Sequence, residues 1–247
     1  MSIKFQRVID RLLGVPVCAL LSLLERFCPK RSAITSPRRI LVILLSEMGS
    51  LVLAQPMLAR LKQRYPEASL HALVFARNRE AVELLSIVHK DHVLGIEDGS
   101  VLRFASSSLS ILKRVRALKF DVVIDCELFA RVSSIFSWLT GAPIRVGFHR
   151  HTQEGLYRGS FINRPVMYNP YQHLSQQFLT LAGTIESRSV PAGKQAPVPM
   201  PEPPAALVFP EEEVQQMTAR LHADFPSIQH ESLVLVYPGG GLLPVRA

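Results

Sequence analysis

The sequence predicts an α/β fold: a Rossmann-like, doubly wound parallel sheet followed by the opening of a second domain. Three observations carry this. A near-continuous apolar run, Ile40 to Leu45, leads into the turn Ser46-Glu-Met-Gly-Ser50 and then a helical pattern. The same grammar returns at 233–241, where Leu233-Val-Leu-Val-Tyr-Pro-Gly-Gly-Gly241 passes from strand to glycine turn. Between the two, short apolar strands alternate with helical patterns, as right-handed crossovers in a parallel sheet require. A strand ending in a glycine turn is the usual opening of a βα nucleotide-binding unit. The chain therefore reads as one α/β domain, a proline-rich connector, and the first strand of a second, truncated domain.

The elements follow in order. Residues 40–45 are apolar at every position, as a strand covered on both faces must be. Leu51, Leu53, Ala54, Met57, Leu58 and Leu61 recur at helical spacing, predicting a helix over 51–65 that stops before Pro66. Strand 70–75, helix 78–86, a short strand near 92–96, helix 101–118, strand 121–125, helix 129–139 and strand 144–147 come next. Residues 148–173 read as a long polar loop, which is uncommon beyond about 12 residues unless functional. Helix 171–186 follows. Ser187 to Pro204 holds six prolines and can be neither helix nor sheet interior. Helix 210–224 opens with Glu211, Glu212 and Glu213, favourably placed at a helix amino end, and strand 233–237 closes the pattern. The organisation predicted is an amino-terminal segment 1–37, a Rossmann-like domain 38–186, a linker 187–204, and the start of a second domain, 205–247.

Composition bounds the function. Hydrophobic residues make up 48% of the 247, enough for a core and against disorder. The net charge is +8, which suits a polyanionic partner. Lys4, Arg7, Arg11, Arg26, Lys30, Arg31, Arg38 and Arg39 crowd the first forty residues against only Asp10 and Glu25. No recognition helix, zinc finger or aromatic RNA-binding motif accompanies this charge, so nucleic acid is not the expected partner. Cys18, Cys28 and Cys126 are odd in number and irregular in spacing, which argues against a disulfide scaffold or metal cage and for a reducing cytoplasm.

The amino-terminal segment carries two apolar helical faces. One is Phe5, Val8, Ile9, Leu12 and Leu13; the other, after Pro16, is Val17, Leu20, Leu21, Leu24 and Phe27. The apolar stretch from Leu12 to Leu24 is too short to span a bilayer, which takes about 20 residues. Two readings stand side by side: contact with the anionic inner face of a membrane, or packing on the protein itself. A secretory signal is disfavoured by Asp10, Pro16 and Glu25-Arg26.

In doubly wound sheets ligands bind beyond the carboxyl ends of the strands. That rule selects the loops at 46–50, 76–79, 126–130 and 148–158. In the first, Gly49 admits a close-approaching ligand at a helix amino end. In the last, Phe148-His-Arg-His-Thr-Gln-Glu-Gly-Leu-Tyr-Arg158 mixes polar and aromatic groups as an anionic or sugar ligand requires. His149 and His151 have no acidic partner pair for a metal. Pro238-Gly-Gly-Gly241 forms a potential backbone nest for phosphate. The chain has no G-x-G-x-x-G, no P-loop and no G-x-S-x-G elbow, against nicotinamide cofactors, P-loop nucleotidases and α/β-hydrolases.

With those residues in view, the chain resembles the bacterial heptosyltransferases, glycosyltransferase family 9. Arg39-Ile-Leu-Val-Ile-Leu-Leu-Ser-Glu-Met-Gly-Ser50 and the helix after it look like that family's opening. Leu61-Lys-Gln-Arg-Tyr-Pro66, Phe120-Asp-Val-Val-Ile-Asp125, Gly141-Ala-Pro-Ile-Arg-Val-Gly-Phe148 and Tyr237-Pro-Gly-Gly-Gly241 continue the likeness in order. The resemblance implies a GT-B fold of two facing Rossmann-like domains, of which this chain carries the amino-terminal half and a stub of the second. It implies transfer of heptose from ADP-heptose to the lipid A–Kdo core of lipopolysaccharide at the cytoplasmic face of the inner membrane, without metal or other cofactor. Family members commonly have Gly-Asp in the first loop, the Asp being the proposed base; here it is Gly49-Ser50. A serine hydroxyl is no base near neutral pH without an activating partner, so Glu47 and Ser50 are the catalytic candidates. Ser46, Met48, Gly49, His149, Arg150 and Arg158 are expected on the acceptor, and Gly239, Gly240 and Gly241 on the donor phosphates. The family's later Asp-Ser/Thr-Gly-x-x-His segment is absent, so the fragment is expected to be inactive alone. The alternative is a non-catalytic glycolipid- or membrane-binding module.

Overall fold

The structure, a computed structural model, describes residues 8, 10–28, 36–45, 48–128, 130–149, 157–187, 209–230, 234 and 236. It divides into two compact units, Met1–Ala205 and Ala206–Ala247. The first is built on a six-stranded sheet in the order β3-β2-β1-β4-β5-β6. The strands are β1 (Arg39–Ile43), β2 (Ser69–Phe75), β3 (Val93–Ile96), β4 (Val122–Asp125), β5 (Ile144–His149) and β6 (Arg164–Met167). All five pairings are parallel. The chain winds outward from β1 through β2 to β3, then returns to set β4 on the other side of β1. The winding of the chain across the sheet reverses between β1 and β4, the place where such folds open a crevice.

Helices cover both faces. After a helical stretch at Asp10 to Leu12 come α1 (Gly14–Glu25), α2 (Met48–Leu53), α3 (Gln55–Arg64), α4 (Arg79–Leu84), α5 (Val101–Leu118), α6 (Arg131–Leu139) and α7 (Leu174–Gly183). The alternation along β1 sorts its side chains. Ile40, Val42 and Leu44 pack with Met57, Leu58 and Leu61 of α3 and Phe178 and Leu181 of α7. Leu41 and Ile43, with Leu45 just beyond the strand, pack with Val115 of α5 and Phe136 of α6. Each such side chain, wholly buried, contributes about 1.5–3 kcal/mol. A third cluster joins Cys18 and Leu21 of α1 to Phe161 and Ile162. The second unit contains α8 (Glu211–Asp224), with three glutamates in its first turn, and a 3-10 segment Pro226–His230.

Three expectations change. The helix expected over 51–65 is two, broken by a turn at Ala54, because Pro56 lacks the N–H that would continue the ladder. The stretch 148–173 is not one loop: β5 runs on to His149 and 164–167 form β6. Pro165 hid that strand. Its missing donor is tolerated because β6 is an edge strand, with Pro165 opposite Gly147 and one side of the ladder unpaired. Within the expected strand 233–237 only Val234 and Val236 are described; both are exposed and neither is in a strand. The linker 187–204, apart from Ser187, lies outside the described residues.

Candidate functional site

In such sheets the ligand crevice is expected where the winding switches, here at the carboxyl ends of β1 and β4. Leu44 N donates to Leu73 O at 2.9 Å and Cys126 N to Ile43 O at 3.0 Å, carrying the ladders one residue past the strands. Helix α2 begins at Met48. Met48 is 59% exposed, Gly49 is exposed and Ser50 half-buried. A Cβ built on Gly49 would meet nothing within 4 Å, and its φ is not positive. The fold therefore has no packing need for this glycine, and the corner it occupies is open. Ser46 and Glu47 lie outside the described residues.

Opposite, the end of β4 is tied down by a buried arginine. The Arg158 guanidinium donates to a carboxylate oxygen of Asp125 and to the backbone carbonyl of Glu127, and at 3.1 Å and 2.8 Å to Ala130 O and Ser133 Oγ. Asp125 Oδ1 also accepts the Glu127 N–H at 3.1 Å. The Asp125 and Arg158 side chains are 0% and 3% exposed. Burial pushes the Asp125 carboxyl up, while Arg158, the Glu127 amide and Ser133 pull it down; the net direction is upward. The arrangement ties Glu127 and Ala130 to the end of β4. Burial likewise pushes the Cys126 thiol well up, so it stays an inert, small buried group.

This corrects the expectation for Arg158: its donors are spent inside the protein rather than offered to an anionic ligand. His149 ends β5 at the same edge of the sheet. Arg150 and the loop through Leu156, and Gly239, Gly240 and Gly241, lie outside the described residues. Glu127, only 8% exposed, is a carboxylate that sequence reasoning passed over. The signal for it was present, since 126–130 was selected as a ligand loop and Glu127 is its acid.

The amino-terminal helix supports this region. Ala130, the residue before α6, offers no side-chain cap; Asp10 supplies it instead, accepting from Arg131 N at 2.8 Å and from the Arg131 guanidinium at 2.7 Å. Arg131 Nε donates to Tyr157 O at 2.9 Å. Ser22 Oγ lies 3.1 Å from the Tyr157 hydroxyl and accepts from Ser160 N at 2.9 Å. At the far end, Glu25 accepts from Trp138 Nε1 at 2.8 Å and from the Arg145 guanidinium. So α1 runs alongside α6 and holds the 157–160 segment. The side buried is Gly14, Cys18, Leu21 and Ser22; of the apolar face Val17, Leu20, Leu21, Leu24 and Phe27 only Leu21 is buried. A Cβ at Gly14 would sit 2.9 Å from Arg131 Cδ, so only glycine allows this approach. Among the described residues no helix is long and apolar enough to cross a membrane, and no group of three potential ligands could hold a metal ion.

No protein-family model matches the sequence, and no curated protein does. Solved structures do match. The E. coli ADP-heptose lipopolysaccharide heptosyltransferase II is 18% identical with a TM-score of 0.57, over 74% of this chain and 50% of that one. E. coli heptosyltransferase WaaC, in complex with ADP-2-deoxy-2-fluoro heptose, is 19% identical with a TM-score of 0.51, over 62% and 50%. A family 9 glycosyltransferase from Veillonella parvula is 14% identical with a TM-score of 0.58, over 87% and 57%. The chain spans about half the length of these proteins. Over that span it has the Rossmann-like α/β fold of the family 9 glycosyltransferases, the heptosyltransferases among them.

Proposed function

We propose that this chain is the acceptor-side lobe of a glycosyltransferase that moves heptose from ADP-heptose to the lipid A–Kdo core of a lipopolysaccharide, at the inner face of the inner membrane. In this reading 38–186 is the acceptor-binding domain, 187–204 the linker, and 205–247 the start of the donor-binding domain. The observation that carries it is the open Gly49 corner beside the reversal between β1 and β4, in a fold shared with half of each heptosyltransferase.

The reaction is a displacement at the anomeric carbon. An acceptor hydroxyl forms the new glycosidic bond, the bond to the ADP oxygen breaks, and the hydroxyl proton passes to a base. Glu47 is the proposed base and Ser50 a hydrogen-bond partner for the acceptor. Ser46, Met48 and Gly49 line the acceptor side, with His149 and Arg150 on its phosphates or Kdo carboxylate. Backbone amides of Gly239, Gly240 and Gly241 would stabilise the departing diphosphate.

The test uses the whole reading frame in which these residues lie. ADP release and a one-heptose mass gain on a Kdo-bearing acceptor are expected, with Glu47→Gln lowering kcat by about 10²–10⁴-fold. Acceptor binding without turnover would instead support a non-catalytic glycolipid-binding module. Undiminished turnover in Glu47→Gln would remove Glu47 from its role. The 247-residue chain alone is expected to bind the acceptor and to show almost no affinity for ADP; strong ADP binding by it would favour a nucleotide-binding regulator.

A further inference from the structure

We propose that α1 is a rigid lipid-docking helix, seating the protein on an anionic bilayer through Leu13, Leu20, Leu23, Leu24 and Phe27. The inference rests on the reading of the acceptor as a membrane glycolipid and identifies the element that meets its membrane.

Apart from Ser22 and Glu25, α1 has no polar side chain: its sequence is Gly-Val-Pro-Val-Cys-Ala-Leu-Leu-Ser-Leu-Leu-Glu. A helix apolar all round is ordinarily buried all round. This one is not. At 3.6 residues per turn, Gly14, Cys18, Leu21, Ser22 and Glu25 share one side, the side against α6. Leu20, Leu23 and Leu24 share the other, with Leu13 just before the helix and Phe27 in the turn after it, and Leu13, Leu20, Leu23, Leu24 and Phe27 are 62%, 56%, 50%, 43% and 81% exposed. Scattered exposed leucines need no explanation, but a contiguous apolar stripe along a helix does.

Charge decides what covers the stripe. The only acids in the first forty residues are Asp10 and Glu25. Both point inward and pair with arginines of the domain, Asp10 with Arg131 and Glu25 with Arg145, whose own side chains are 8% and 6% exposed. The outward charges that remain on the described part of the segment are Arg11 and Arg26, both exposed. An apolar stripe edged only by cations fits an interface of acyl chains beneath anionic headgroups. The same two pairs fix the helix, so it meets the bilayer already folded and in one orientation. Through Ser22, Tyr157 and Ser160 it also fixes the chain just after the loop expected on the acceptor.

The full 247-residue chain is sedimented with vesicles of phosphatidylglycerol mixed with phosphatidylethanolamine, and with vesicles of phosphatidylcholine alone. Binding to the anionic vesicles is expected, weakening with salt, and lowered about tenfold or more in the combined Leu20→Ser, Leu23→Ser, Leu24→Ser, Phe27→Ser variant. Circular dichroism checks that the variant folds. A second readout needs no substitution: Cys28 is exposed while Cys18 and Cys126 are buried. An environment-sensitive fluorophore on Cys28 is expected to shift to the blue on anionic vesicles. Binding unchanged in the variant, or no spectral shift in the bound protein, overturns the proposal. So does a lipid-free dimer that the variant turns into monomer, which would assign the stripe to a second copy. Binding of a soluble, deacylated Kdo oligosaccharide is measured in parallel. If it persists while vesicle binding is absent, the docking helix is wrong and the acceptor reading stands; the reverse result separates them the other way.

Discussion

Arg158→Ala distinguishes a structural arginine from a ligand-binding one. The substitution leaves the Asp125 carboxylate, 0% exposed, without its cation, and strips a donor from the carbonyls of Glu127 and Ala130. Breaking one side of a buried pair costs about 3–5 kcal/mol. In a unit of this size that is a fall of about 10 °C in Tm. Urea denaturation followed by circular dichroism gives the loss directly, as a lower midpoint at unchanged slope. The pH dependence provides a second signature. The Asp125 carboxyl already titrates above its ordinary value because of burial, and Arg158 is the foremost influence holding it down. A carboxyl whose folded-state pKa is raised binds more protons folded than unfolded between the two values, so stability falls as pH rises through that window. Removing Arg158 moves the upper edge of the window higher, and the deficit of Arg158→Ala therefore shrinks on acidification. Pairing Arg158→Met with Asp125→Asn recovers most of the loss, since no buried charge is left unpaired. A loss under about 1 kcal/mol combined with abolished acceptor binding would refute this reasoning and return Arg158 to the ligand.

Three further outcomes follow from the same geometry. Gly49→Ala gains up to about 1 kcal/mol of stability from helix propensity, because its Cβ enters open space, yet weakens acceptor binding; calorimetry and acceptor titration on one preparation check both. His71, buried with its Nδ1 unpartnered, is lowered to about 4 by desolvation, then by His92 stacked on it at 4.0 Å, Arg114 and Arg39. A depressed histidine pKa contributes stability that is lost as pH falls below about 6.5, so the chain loses up to about 3 kcal/mol by pH 4 from this group, and His71→Phe flattens that part of the urea-midpoint profile. Gly14→Val drives a side chain into Arg131, itself held by Asp10 and Tyr157, and costs about 1–3 kcal/mol in denaturation while lowering trypsin resistance at Arg26.

Much of the sheet was legible because its strands are buried on both faces and read as unbroken apolar runs. Strands β1 and β4 announce themselves in this way, β2, β3 and β5 as apolar runs interrupted by His71, Gly95 and Arg145, and α5 has both its helical spacing and the Ser100 cap, whose hydroxyl accepts Arg103 N at 3.3 Å. Strand β6 was not legible, because Pro165 is a breaker everywhere except at an edge, and edges are decided by topology. Loop selection from the sheet rule gave the Gly49 corner but could not separate a ligand-facing arginine from a buried one. Arg158 and Arg131 each stand at the end of a loop that the sheet rule selects and look alike in sequence; only the carboxylates brought from β4 and the amino-terminal segment decide their fate. Arg145 did carry a signal. A lone arginine inside an apolar strand demands a carboxylate, and Glu25 was one of two acids in an otherwise basic segment.

The central claim, that the acceptor sits where β1 and β4 part, is tested most directly by titrating a deacylated Kdo oligosaccharide into the isotope-labelled chain and following its backbone amide resonances. The account predicts shifts concentrated at Leu44, Met48 to Ser50 and Cys126 to Leu128. Shifts gathered instead at the opposite end of the sheet, around Arg38 and Asp121, or none at saturating sugar, would contradict it.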